Sequence, residues 1–150
     1  MDLILWRHCE AEPGEPDLGR RLTSKGVKQS ERMAAWLDAH LPDTCRILVS
    51  PADRAQQTAL ALQRKFKTVA DLAPGASVAS VLAAVNWPES REPVLVVGHQ
   101  PTIGAVASFL LSGEVAYWSV RKGAVWWLTN RARDGGAAVV LKVVQGPDFV

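Results

Sequence analysis

Three short apolar runs, Leu3-Ile4-Leu5-Trp6, Ile47-Leu48-Val49 and Val94-Leu95-Val96-Val97, are each too short for a helix, and each is followed by residues with helical spacing of apolar positions. A run of this length bounded by polar residues reads as a strand buried on both faces, which is the condition of strands in a parallel sheet covered by helices. The alternation therefore predicts an α/β fold, a three-layer sandwich with a largely parallel central sheet flanked by helices. At 150 residues the chain is long enough for one hydrophobic core, and no linker, repeat or low-complexity tract divides it. Residues 1–150 are expected to form one domain.

The first helix opens at Leu22-Thr23-Ser24-Lys25-Gly26 and runs to about Leu41, with Val27, Met33, Ala34, Leu37 and Leu41 facing inward and Pro42 ending it. Pro51 suits the first position of a second helix that continues through Leu60, Leu62 and Phe66. A short strand between Lys67 and Leu72, closed by Asp71, leads to the Pro74-Gly75 turn and a helix over Ser77 to Val85 that buries Val78, Val81, Leu82 and Val85. A further helix follows over Thr102 to Leu111. The end of the chain differs: Ala124 to Thr129 and Ala137 to Val144 are β-rich and separated only by Asp134-Gly135-Gly136, which predicts a C-terminal antiparallel hairpin at the sheet edge. Trp126 and Trp127 then face opposite sides; core packing is the default for each, and one is available to line a groove.

A hydrophobic content of 48%, a charged content of 21% and a net charge of +2 describe an ordinary globular chain. The charge is too small to imply a nucleic-acid partner, although Arg20, Arg21, Lys25 and Lys28 gather locally. No run approaches the ~18 apolar residues of a spanning helix, so no membrane association is expected. The N-terminus reads as a strand rather than a basic segment with a signal core, which makes the cytoplasm the expected compartment. Cys9 and Cys45 are expected at opposite ends of neighbouring strands, ~13 Å apart along the strand direction. That is beyond the ~7 Å limit between Cα atoms for bridging, so both read as free thiols.

In sheets of this kind ligands bind outside the carboxyl ends of the strands. Arg7 and His8 follow the first apolar run without a spacer, Arg54 lies within a turn of the second, and His99 follows the last. Singly, each has an ordinary reading as a strand-end residue or as a helical arginine paired with a surface carboxylate. Together they bring guanidinium and imidazole groups from separate segments to one edge, a pattern suited to an oxyanion such as phosphate. The charged loop from Glu10 to Arg21 between them is either a lid or a plain solvated connection.

Arg7-His8 after an N-terminal strand, Ser50-Pro51 with Arg54-Ala55 and Gln57-Thr58, and Gly98-His99 after a late strand resemble the histidine phosphatase superfamily, with its phosphoglycerate-mutase-like fold. The likeness covers residues 3 to about 112. Small size and the Leu22-to-Gly26 helix entry most resemble the compact SixA-type phosphohistidine phosphatases. The resemblance implies His8 as the nucleophile that becomes phosphorylated and Arg7, Arg54 and His99 as the phosphate pocket. This chemistry is consistent with the residues: a neutral imidazole accepts a phosphoryl group, two guanidinium groups hold its oxygens, and His99, when protonated, adds a donor. The arginines supply the charge that Mg²⁺ otherwise brings, and no carboxylates or thiols cluster with the histidines, so neither a metal nor another cofactor is expected.

Two departures bear on the substrate. Cys9 stands where the family usually has glycine, and a buried, inert thiol is favoured over an oxidisable one. Gln100 follows the second histidine where the acid-phosphatase branch has an aspartate proton donor. Asp71 and Glu10 are the remaining candidate donors, and both also read as solvated loop acids. Weak proton donation favours phosphohistidine, whose imidazole leaves once protonated from solvent, over an alkyl phosphate. A phosphorylated protein of a phosphorelay or phosphotransferase system is therefore the first expected partner. A small phosphomonoester is the second, and a non-catalytic phosphoprotein-binding module is the third, disfavoured because binding alone needs only the arginines. Mutase activity is disfavoured as well, since few residues remain to enclose an intermediate against water.

Overall fold

Strand β1 (Asp2–Arg7) lies inside a six-stranded sheet with β2 (Arg46–Val49), β3 (Lys67–Thr68), β4 (Val94–Gly98), β5 (Val125–Arg133) and β6 (Gly136–Gln145), in the order β3-β2-β4-β1-β5-β6. The computed structural model describes residues 1–133 and 136–150, so Asp134 and Gly135 of the expected hairpin turn lie outside the described residues. Strands β1 to β4 are mutually parallel where they pair, and β5 runs antiparallel to both β1 and β6. The helices are α1 (Ser24–His40), α2 (Asp53–Leu60), α3 (Val78–Ala84) and α4 (Thr102–Ser112).

Alternation along the strands sorts the core into two layers. Ile4, Trp6, Ile47, Val49, Leu95, Val97 and Trp127 pack with Met33, Ala34 and Leu37 of α1 and Ala55 and Ala59 of α2. Leu3, Leu5, Leu48, Val94, Val96 and Leu128 face the opposite way onto Val81 of α3 and Ile103, Val106 and Ala107 of α4. Each fully buried aliphatic side chain contributes roughly 1.5–3 kcal/mol relative to an exposed one. These two layers hold the strand ends that carry the site in fixed register. Trp127 belongs to the first layer, and the half-buried Trp126 faces the other side, lining a groove with Arg121, Val144 and Phe149.

Several local expectations are corrected. Strands β1 and β2 are not neighbours, because β4 lies between them. The most continuously apolar strand takes the position that needs burial on both faces. Cys9 and Cys45 are nevertheless both free, as expected. Thr23 caps α1 by accepting from the Gly26 N–H at 2.9 Å, and Val27 one turn in faces outward at 38% exposure. Pro51 precedes α2 rather than starting it: Ala52 is the cap residue, and the helix ends at an exposed Leu60, with Leu62 buried from the following turn. The third strand is only two residues long, and Asp71 sits in a 3-10 turn beyond it instead of closing it. In α3, Val81 is buried, as is Val85 just past its end, whereas Val78 and Leu82 are only half-buried.

Candidate active site

Register places the two histidines side by side. Arg7 of β1 pairs with Gly98 of β4, so His8 and His99 leave adjacent strand ends at the same level. The His8 N–H donates to the Gly98 carbonyl at 3.1 Å, and the two rings lie 5.1 Å apart between centroids. Arg54 comes from the first turn of α2, directly beyond the end of β2. Thr58 ties these segments together. Its hydroxyl accepts from the Cys9 N–H at 3.0 Å and donates to the Arg54 carbonyl at 2.8 Å, one turn back.

The surrounding chain needs glycine at two close approaches. A Cβ on Gly26 would run into the Glu10 carbonyl, so the first turn of α1 packs directly on the loop that follows His8. Gly123 has φ of +76°, and its N–H is shared between the Arg7 and His8 carbonyls, both at 3.1 Å. The same loop supplies the Val120 carbonyl, which accepts from Arg7 Nη1 at 2.8 Å.

Arg54 is 4% exposed, and its Nη1 donates to the Asp17 carbonyl at 2.8 Å while Nη2 meets the Asp17 carboxylate at 3.2 Å. Arg20 meets the same carboxylate at 3.2 Å, and the hydrogen bonds from Arg20 and Arg54 hold Asp17 below the usual carboxylate range. The Glu10-to-Arg21 loop thus touches the site through Asp17. Among the described residues, three buried nitrogens of the site, Arg7 Nε, Arg54 Nε and His99 Nδ1, have no hydrogen-bond partner. Buried polar groups are rarely left so, and two of these are cationic donors.

Burial, opposed by a hydrogen bond to the Cys9 carbonyl and reinforced by Arg54, Arg7 and Arg20, pushes His8 down to about 4. His8 Nδ1 lies 2.7 Å from that carbonyl, which can only accept. The ring proton is therefore on Nδ1 and the lone pair on Nε2. Burial, then His8 and Arg54, push His99 down to about 3, with Asp17 opposing. Values this low favour the neutral form of both rings at neutral pH, so the condition under which His99 would add a donor as a cation is not the favoured one. Burial also lowers Arg7 below its ordinary value, yet a guanidinium remains charged.

The structure brings Arg7, His8, Arg54 and His99 to the carboxyl ends of the strands, and of the two candidate proton donors Glu10 lines the cavity beside Arg7. Glu10 is half-buried and its carboxylate accepts from the Thr23 hydroxyl at 2.8 Å. Asp71 is exposed, on the turn that follows β3, the outermost strand beside β2. Gln100 is occupied at both ends, donating to the Trp118 carbonyl at 2.8 Å and accepting from the Gly104 N–H at 2.7 Å. Burial pushes the Cys9 thiol up to about 12, which disfavours the thiolate that oxidation needs. Three polar neighbours were not identified as site groups by sequence reasoning: Asp17, Thr58 and Ser50, whose Oγ lies 2.7 Å from His99 Nε2. Ser50-Pro51 and Gln57-Thr58 are visible as motif residues, but only the tertiary fold shows what their side chains meet.

Beside Arg7 a cavity of about 340 Å³ is lined by Lys25, Arg121, Lys122 and Phe149. Among the described residues no group of three His, Cys, Asp or Glu could hold a metal ion, and no helix is long and apolar enough to cross a membrane.

Residues 3–76 match the model of the histidine phosphatase superfamily, branch 1. The chain is 32% identical over 123 residues to the phosphohistidine phosphatase SixA of Escherichia coli K12, covering 76% of each sequence. Among solved structures, a candidate phosphohistidine phosphatase SixA from Nakamurella multipartitia superposes with a TM-score of 0.80 at 28% identity, over 97% of this chain and 95% of the other. A protein histidine phosphatase SixA bound to tungstate gives 0.77 at 26% identity, over 99% and 98%.

Proposed function

Because this chain belongs to the histidine phosphatase superfamily, we propose that it hydrolyses phosphohistidine on a protein of a phosphorelay or phosphotransferase system through a phospho-His8 intermediate. The observation that carries this reading is the set of unpartnered nitrogens of Arg7, Arg54 and His99 around a neutral His8. An oxyanion satisfies all of them at once.

His8 Nε2 attacks phosphorus in line, the N–P bond to the substrate imidazole breaks, and a proton from solvent neutralises the leaving ring. Arg7 and Arg54 hold the equatorial oxygens as charge shifts in the loose transition state. Water then attacks the phosphorus of phospho-His8, releasing inorganic phosphate and restoring the imidazole. The guanidinium groups supply the positive charge, so the reaction proceeds without a metal or other cofactor. For the substrate to bind, its phosphate replaces the Asp17 carboxylate on Arg54, and the Glu10-to-Arg21 loop acts as the lid.

The choice of phosphohistidine over an alkyl phosphate follows from proton supply. Glu10 is bound to Thr23, Gln100 carries no acidic proton, and Asp17 is held ionised by two arginines. An alkoxide would leave without a proton, whereas an imidazole is protonated readily by water. Few residues remain to form a capping domain over the site, which suits a phosphate displayed on a protein surface, and the reaction belongs in the cytoplasm with such carriers.

Phosphate release from a phosphohistidine-bearing carrier domain and from a small alkyl phosphate, followed in parallel for the wild type and His8→Ala, tests this. Release from the carrier alone, lost in the variant, is expected. Preference for the alkyl phosphate would overturn the substrate assignment and direct attention to Asp71 and Glu10 as proton donors. Binding of the phosphocarrier without turnover would mark a recognition module instead.

A further inference from the structure

Ser50 follows β2 and is fully buried, its N–H donating to the Val97 carbonyl at 3.0 Å. Its Oγ lies 2.7 Å from His99 Nε2 and accepts from the Ala52 N–H at 3.2 Å. A hydroxyl has one proton and two lone pairs, and the Ala52 N–H can only donate, so it occupies one lone pair. Two arrangements then remain for a neutral His99. In one, Nε2–H donates to the second lone pair, which strands the hydroxyl proton and leaves a lone pair on the buried Nδ1. In the other, the hydroxyl donates to Nε2 and the ring proton sits on Nδ1.

The second arrangement satisfies the Ser50 proton and makes Nδ1 a donor, the same role as the unpartnered Nε atoms of Arg7 and Arg54. We infer that Ser50 is a positioning residue that fixes His99 as its Nδ1–H tautomer, so that a neutral ring donates a hydrogen bond to the phosphoryl group. The donation to phosphate rests on the function proposed above. The tautomer itself rests on a ring that carries one proton and on the hydrogen bonds around Ser50.

This assignment settles how a histidine that is not cationic still assists an anion. Held by Ser50, the ring offers an N–H to the phosphoryl oxygens. Released from it, the ring is free to move its proton to Nε2 and turn a lone pair toward those oxygens, which repels them. Ser50 makes no contact with the reacting atoms in this account and acts through His99.

The chain has 3 histidines, so an imidazole ¹H–¹⁵N multiple-bond correlation spectrum of the labelled protein at neutral pH is simple to assign. His99 is expected as the Nδ1–H tautomer, both free and with inorganic phosphate added. A free protein with His99 in the Nε2–H form, or protonated at both nitrogens, would overturn the inference. In Ser50→Ala, His99 is expected to shift to the Nε2–H form, with kcat toward the phosphohistidine carrier falling about tenfold, the loss of one buried hydrogen bond. Retention of the Nδ1–H form in that variant, whatever its activity, also overturns it. The wild-type spectrum needs no turnover, so it decides the tautomer even where Ser50→Ala fails to fold. Failure of the functional reading shows separately, as absent phosphate release from the carrier by the wild type.

Discussion

His8 and His99 stand at equivalent levels on adjacent parallel strands, both buried and both depressed by burial, yet their available atoms are opposite. The Cys9 carbonyl occupies Nδ1 of His8 and leaves Nε2; Ser50 occupies Nε2 of His99 and leaves Nδ1. In the proposed reaction two identical side chains divide into a nucleophile and an oxyanion partner according to which nitrogen the neighbour takes. The partners also differ in kind. A carbonyl dictates the tautomer by itself, whereas a hydroxyl does so only because the Ala52 N–H has already claimed one of its lone pairs.

The largest separation of the two roles comes from deleting each ring. His8→Ala is expected to lower kcat at least about a thousandfold, because the covalent route is lost with the nucleophile. His99→Ala removes one stabilising donor and is expected to cost about a hundredfold, with phosphate still passing through His8. Single-turnover rates for the two variants check this, and equal losses would erase the distinction.

Low pH acts on both buried rings. The native state binds no proton at His8 until about 4, whereas the unfolded chain does so below the ordinary value of 6.5. Stability from this group is therefore constant above about pH 6.5 and falls progressively as pH drops toward 4, by about 3 kcal/mol for His8 alone. His99 adds a loss of the same sign. Urea titrations at pH 7 and pH 4.5 measure it, and His8→Gln is expected to flatten the difference in part. A pH-independent midpoint in the wild type would contradict the buried neutral rings.

The smallest effect concerns the Glu10-to-Arg21 loop. Asp17→Asn weakens the carboxylate contact to Arg54 and is expected to tighten inorganic phosphate binding a few-fold, as for a half-exposed ion pair. Calorimetric titration with phosphate checks it. Unchanged affinity would reduce the loop to a connection.

The sequence made the sheet legible because its central strands are buried on both faces and therefore uniformly apolar, as Val94 to Val97 show. Strand order was less legible: the place of β4 between β1 and β2 is set by packing across the sheet, and adjacent-in-sequence strands are only a default. Arg7, His8, Arg54 and His99 were readable because each sits within a few residues of a strand end, where polarity changes abruptly. Asp17 was not readable as a partner of Arg54, since a loop acid among other loop acids carries no mark of the arginine it meets across 37 residues. Ser50 was hidden in another way, because a small polar residue before proline has an ordinary turn reading, and its role depends on a ring 49 residues away.

In the proposed reaction the phosphoryl group passes through His8 Nε2. Mixing the wild-type protein with a phosphohistidine carrier, quenching within milliseconds at alkaline pH and mapping the modified peptide by mass spectrometry tests it most directly. An added phosphoryl group is expected on the peptide containing His8, formed and lost within one turnover, and absent in His8→Ala. Phosphate release with no such adduct, or an adduct on His99, would contradict it.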